Sequence, residues 1–223
     1  MLTVKAFGGL VFLFVVMAAA LFWAAGSFGY WEGWVFLAVF FGAALAITLY
    51  LMVKDPKLLE RRVYAGPISE KETTQKIIQT LASLMFLLML VVPALDYRFH
   101  WSALPFALVI KGDVLVVLGF LIIFFVYRQN SFTSATIEVY AEQKVVSTGL
   151  YAVVRHPMYM GALILFIGMS LALGSYWDFL IFLVFLPALL WRLFDEEKLL
   201  SKSLSGYVEY KNKVRHRLIP YIW

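Results

Sequence analysis

The sequence contains no cysteine, which excludes a disulfide framework, a thiolate metal site, a cysteine nucleophile and a prenylated C-terminus. Histidine is scarce. His100, His156 and His216 stand far apart, so no metal is implied. Charge is scarce too: only 15% of the 223 residues are Asp, Glu, Lys or Arg, where a soluble domain carries about a quarter. The net charge of +5 comes with no nucleic-acid reading motif, so no nucleic-acid partner is expected. Membrane topology and attraction to anionic membrane lipids account for it. Internal repeats and low-complexity segments are also missing.

What is abundant is apolar surface, 63% of all residues, more than one small core can hide. No charged residue or histidine lies between Lys5 and Glu32, between Glu32 and Lys54, or between Lys76 and Asp96. Each stretch accommodates the roughly 20 helical residues that a bilayer crossing needs. The pattern predicts an all-α, polytopic helical membrane protein with about six transmembrane helices, at approximately 7–27, 33–53, 77–95, 113–128, 158–173 and 176–191. The first run is read as a retained span rather than a cleaved signal peptide, because it is long and Ala18-Ala19-Ala20 falls in its middle. The first two spans form a hairpin across residues 26–29, beside Tyr30, Trp31 and Trp34, an aromatic set suited to a membrane interface. The last two form a short C-terminal helical hairpin across Gly174-Ser175.

Orientation follows from lysine and arginine. One end of the spans collects 17 of them, including six in residues 54–76 and seven from Arg192 onward, whereas the other end has Arg98 and Lys111. The positive-inside rule therefore predicts an integral, multi-pass protein with both termini and the two longer loops in the cytoplasm. Residues 1–76 read as an N-terminal transmembrane hairpin with its connector, and 77–223 as a membrane core with the tail. Leu193, Leu199, Leu200, Leu204 and Tyr207 recur at near-helical spacing among charges, which predicts an amphipathic cytoplasmic helix over 192–217. Gly8-Gly9 and Gly168 are candidate packing positions between spans.

Polar residues cluster at two places. Arg155-His156-Pro157-Met158-Tyr159-Met160-Gly161 opens the fifth span. Pro157 suits a first helical turn, which puts His156 at a helix N-terminus that attracts anions, and Gly161 permits a close approach. By itself this stretch is equally a membrane-boundary cap. At the exit of the sixth span, Arg192 and Glu196 lie four apart on one helical face, a spacing that also fits an ordinary surface ion pair. Beyond them come Gly206-Tyr207-Val208-Glu209-Tyr210 and Arg217-Leu218-Ile219-Pro220, followed by Trp223.

RHPMYMG, then R-x3-EE, then GYxxY and RLIPxxW, in this order over residues 130–223, resembles the isoprenylcysteine carboxyl methyltransferase family and the wider membrane methyltransferase group that includes phospholipid methyltransferases. The resemblance implies a membrane enzyme that uses S-adenosyl-L-methionine, in a pocket between the last hairpin and the tail. Cofactor contacts would fall on Gln143, Lys144, Val145, Val146, Tyr151, His156, Pro157, Met158, Tyr159 and Glu196. Arg192 would bind substrate, and Arg192 with Glu196 would form the catalytic pair. The implied acceptor is a lipophilic isoprenyl or acyl molecule from the bilayer, first an isoprenylcysteine-like carboxylate and alternatively a phospholipid amine. An NADPH-dependent sterol-reductase-like enzyme and a non-catalytic lipid-binding membrane protein are the remaining alternatives.

Overall fold

A computed structural model of the chain describes residues 2–64, 66–70 and 72–223; Lys71, one of the basic residues counted toward orientation, lies outside them. The described residues form helices joined by turns and irregular loops, with no strand among them. Helix α1 spans Leu2–Ala25, α2 Trp31–Lys54, α3 Pro56–Val63, α4 Thr73–Phe99, α5 Phe106–Gln129, α6 Pro157–Ala172, α7 Asp178–Ser203 and α8 Tyr207–Lys213. Six of these correspond to the six expected spans. Helices α1, α2, α4 and α5 are long and apolar enough to cross a membrane by themselves. Helix α6 has 16 residues, about 24 Å at 1.5 Å per residue, short of the roughly 30 Å hydrocarbon layer. Helix α7 is long but charged at both ends.

Boundaries move where the sequence reading stopped at a charge. Helix α5 begins at Phe106, so Lys111, expected in the loop before it, is an exposed helical residue; a long lysine side chain keeps its ammonium in water from such a position. Helix α7 runs on through Arg192–Glu197 to Ser203. The single helix expected over 192–217 is replaced by two. The chain turns at Leu204–Gly206, with Gly206 at φ +80°, before α8 begins. A positive φ is open to glycine at little cost, and it ends a helix that apolar periodicity alone would continue.

The closest packing joins α5 to α6, which run antiparallel. Gly112 and Gly119 sit seven residues apart on α5, opposite Gly168 and Gly161 on α6. A Cβ placed on Gly112 would stand 2.7 Å from the Gly168 carbonyl oxygen, and one on Gly119 2.7 Å from that of Gly161. These glycines are what lets two backbones touch where lipid supplies no hydrophobic drive. At Gly8 and Gly9, by contrast, an added Cβ would meet nothing within 4 Å.

The end of the bundle away from the long loops is closed by polar ties. Asp96 accepts from the Ser102 amide (2.6 Å), the Ser102 hydroxyl (2.5 Å) and the Ser175 hydroxyl (2.5 Å). Ser170 donates to Asp178 (2.8 Å) and Tyr30 to the Leu173 carbonyl (2.6 Å). These bonds hold α4 and the first hairpin to the α6–α7 turn. At the opposite, basic end, α3 and the segment before α4 pack beneath the 130–156 loop: Arg62 donates to the Ser134 carbonyl (2.8 Å), and Arg61 lies over the rings of Phe132 and Tyr140.

Candidate active site at the basic end

The polar starts and exits of α6 and α7 converge. The Tyr159 hydroxyl donates to Glu196 (2.7 Å), and Arg155 Nε donates to Glu197 (2.6 Å). Between them and the 130–146 loop lies a cavity of about 410 Å³, within the size range of small-molecule sites, about 300–1,000 Å³. Its lining changes character along its length. Asn130, Thr136, Glu138 and Tyr207 make one part polar, whereas Ile78, Ala82, Phe166, Phe185 and Leu189 make another part apolar.

Most of the residues singled out in the sequence line this cavity: Gln143, Lys144, Val145, Val146, Tyr151, His156, Met158, Tyr159, Arg192 and Glu196. Pro157 does not; it is buried as the first residue of α6. Gln143 is fixed by its own turn, its side-chain oxygen accepting from the Tyr140 amide (3.2 Å). Tyr151 is held at both ends: its hydroxyl accepts from Asn130 (3.1 Å) and its carbonyl from the Tyr210 hydroxyl (2.8 Å).

At the start of α6, His156 is the N-cap and Pro157 the first residue, and the tail takes two of the nearby amides. The amides of Arg155 and His156 donate to the carbonyls of His216 and Arg217, each at 2.9 Å, and Pro157 has no N–H. The tail therefore satisfies the amides that immediately precede the helix, and the first-turn amides of Met158 and Tyr159 are what the helix start offers a ligand. Arg155, equally a boundary cap by sequence, is a buried brace that also donates to the Val214 and Arg215 carbonyls.

Adjacent glutamates on α7 part company, since neighbouring helical residues point about 100° apart. Glu196 faces the cavity. Glu197 turns inward to Arg155 (2.6 Å), His156 (3.3 Å) and Arg217 (3.1 Å). Burial by itself would raise the Glu197 pKa, but hydrogen bonds and charge from His156 and Arg155 outweigh it and hold it at about 2. Burial pushes the phenols of Tyr151, Tyr207 and Tyr210 upward, and the charges of Glu197 and Glu196 add to the effect at Tyr207. All three stay neutral hydrogen-bond donors at ordinary pH.

Arg192 and Glu196 share a face, yet the ion pair of Arg192 goes elsewhere. Its Nη2 lies 2.8 Å from Glu70 and donates to the Ala135 carbonyl (2.9 Å), and its Nη1 donates to Gln75 (3.1 Å). Gln75 in turn donates to Asp195 (2.8 Å). Sequence reasoning missed Glu70, Gln75, Asn130 and Glu138. It noticed Tyr207 and Tyr210 as part of GYxxY, and their three-residue spacing on one helical turn was the signal that both face one site.

Residues 107–205 match the family model of the phospholipid methyltransferases. The match covers 99 of the 223 residues, a likeness over somewhat less than half of the chain. The phospholipid methyltransferase match covers all but the first residue of α5, the loop, α6 and all of α7, and thus His156, Tyr159, Arg192 and Glu196. It leaves out Glu70 and Gln75 on one side and Tyr207 and Tyr210 on the other. No curated protein matches the chain. A match to a methyltransferase family implies S-adenosylmethionine as the methyl donor, and the cavity has groups suited to such a molecule. The Tyr207 hydroxyl is buried without a hydrogen-bond partner among the described residues, and Glu196 makes no ion pair among them. Both can bond to the amino and hydroxyl groups of such a molecule.

Proposed function

We propose that this protein transfers a methyl group from S-adenosyl-L-methionine to a lipid-borne acceptor at the cytoplasmic membrane face. The observation that carries the reading is a single cavity, polar at one part and apolar at another, with Tyr159, Arg192 and Glu196 on its wall. The polar part, with Gln143–Val146, Tyr151, His156 and Tyr207, holds the donor, and Glu196 accepts from its hydroxyl or amino groups. The apolar part, between α4, α6 and α7, takes the chain of the acceptor, which gains about 0.8 kcal/mol per buried CH₂ by remaining in an apolar medium.

The bound donor supplies an electrophilic methyl on a good leaving group, so the protein contributes no nucleophile. Its work is alignment and exclusion of water. The Tyr159 hydroxyl fixes Glu196 in one orientation. Val145 and Val146 offer no competing nucleophile, and Arg192 positions the acceptor head. For a carboxylate acceptor, ionised at neutral pH, no base is required, and the guanidinium binds it in bidentate fashion; an isoprenylcysteine-like acid fits this. A second reading, N-methylation of a phospholipid amine, is favoured by a specific observation: Arg192 already has a carboxylate partner in Glu70. The amine must lose a proton before attack, and Glu196 is the cavity-facing group placed to accept it.

Binding of S-adenosylmethionine and of NADPH to detergent-purified protein tests the class. Saturable micromolar binding of the first alone supports methyl transfer. Binding of NADPH alone overturns it in favour of a reductase.

A further inference from the structure

Helix α7 delivers one guanidinium into a cluster of carboxylates. Arg192 pairs with Glu70, whose side chain is only 2% exposed. It reaches Asp195 through Gln75, which bonds to both. Glu196 lies one helical turn on and faces the same cavity. Glu70 belongs to the segment before α4, also accepts from the Ile137 amide (3.4 Å), and is not part of the cavity lining. It therefore grips Arg192 from behind while the guanidinium shows an edge to the cavity. Other charges on the lining are committed or solvated. Arg155 is paired with Glu197, Arg62 is bound by the Ser134 carbonyl, Glu138 accepts from the hydroxyls of Thr136 and Tyr140, and Lys144 is exposed.

A cation offset by a buried carboxylate attracts a second carboxylate weakly, because the added anion meets the first one's repulsion. We propose that Glu70 is a specificity-determining residue: by neutralising Arg192 from outside the cavity it leaves Glu196 as the uncompensated charge, so that the site prefers a lipid with a basic amine over one with a carboxylate. The assignment rests on the reading of the cavity as the site of a lipid-borne acceptor. Glu70 is a positioning residue, acting on the acceptor only through Arg192.

The experiment measures equilibrium binding of two chain-matched probes, dodecylamine and laurate, to the full-length protein in a non-ionic detergent, with no donor present. The native protein binds dodecylamine the more tightly. Glu70→Gln raises the laurate-to-dodecylamine affinity ratio about tenfold, equivalent to about 1.4 kcal/mol. Glu70→Asp keeps the native ratio, and Arg192→Gln added to Glu70→Gln abolishes the gain. An unchanged helical circular-dichroism spectrum and melting temperature in detergent report an intact fold in each variant. Should Glu70→Gln fail to fold, Asp195→Asn, which removes another carboxylate of the cluster, raises the ratio about threefold. A ratio that stays within twofold in every folded variant overturns the role given to Glu70, as does a gain that survives loss of Arg192. Because neither probe measurement needs methyl transfer, this result is separable from the donor-binding test of the reaction itself.

Discussion

The two ends of the bundle use the same residue types to opposite effect. At the far end, Asp96 takes three hydrogen bonds from two serines, and Asp178 one from Ser170, all buried. Every partner comes from the helices and their short turns, and the polar groups close on one another. At the basic end, Glu196 and Tyr207 are also largely out of solvent, but they border a cavity of about 410 Å³, and the Tyr207 hydroxyl has no partner among the described residues. The far end is not fully satisfied either, since Asp178 Oδ1 has no partner among the described residues, but there the polar groups tie helices together, whereas an incomplete cluster beside a concave space is a place for a ligand. Glu197 adds a third case, a closed polar knot placed immediately behind the open site, so that one helical turn holds both scaffold and chemistry.

This contrast can be broken most forcefully at Glu197. Replacing it with alanine leaves Arg155, His156 and Arg217 facing each other without their anion, and thermal or denaturant unfolding in detergent should record a loss of about 3–5 kcal/mol. A loss below about 1 kcal/mol, the scale of an exposed ion pair, would show that the knot is not structural. Next in size, the double change His156→Ala with Glu196→Ala should weaken S-adenosylmethionine binding about 100-fold, on the footing of about 1.5–3 kcal/mol for each hydrogen bond to a charged group. Intact affinity in a folded double variant would remove both residues from the donor site. Asp96→Ala should cost about 1–3 kcal/mol of stability by stranding buried serine groups, with donor affinity unchanged. A drop in affinity would mean the two ends are coupled and the contrast false. Arg192→Ala is expected to spare donor binding and reduce turnover about tenfold, an acceptor-positioning effect of roughly 1.4 kcal/mol.

The same knot also predicts a pH dependence. Glu197 is held at about 2 in the folded chain against an ordinary 4.5, so the folded state favours its ionised form. The stability it contributes is complete above about pH 4.5 and drains away as pH falls toward 2. An acid-unfolding curve of Glu197→Gln should lack that limb, and an unchanged curve would assign acid sensitivity to other carboxylates.

Much of the fold was legible because gaps between charges are a one-dimensional signal: the stretches after Lys5, Glu32 and Lys76 became α1, α2 and α4 with only their ends shifted. The named residues between Gln143 and Tyr159 came from the family resemblance and not from a spacing rule, and all of them but Pro157 line the cavity. What escaped was pairing at a distance. Glu70 and Gln75 meet Arg192 across more than a hundred residues, and no spacing rule reports such a meeting. The double glutamate showed a further limit: two adjacent carboxylates look equivalent until the rotation of α7 sends Glu196 to the cavity and Glu197 to Arg155. In the tail, leucine periodicity outweighed a glycine, and the break at Gly206 was lost to it.

The carbonyls of His216 and Arg217 accept the amides of Arg155 and His156, and this sets an order for biogenesis. Synthesis runs from the N-terminus, so the residues of all six long helices are made before those carbonyls. A newly inserted molecule is thus already anchored in lipid while one wall of its pocket is still missing. The start of α6 is tied down only when residues 214–218 fold back onto it, so the last residues made complete the brace behind the cavity.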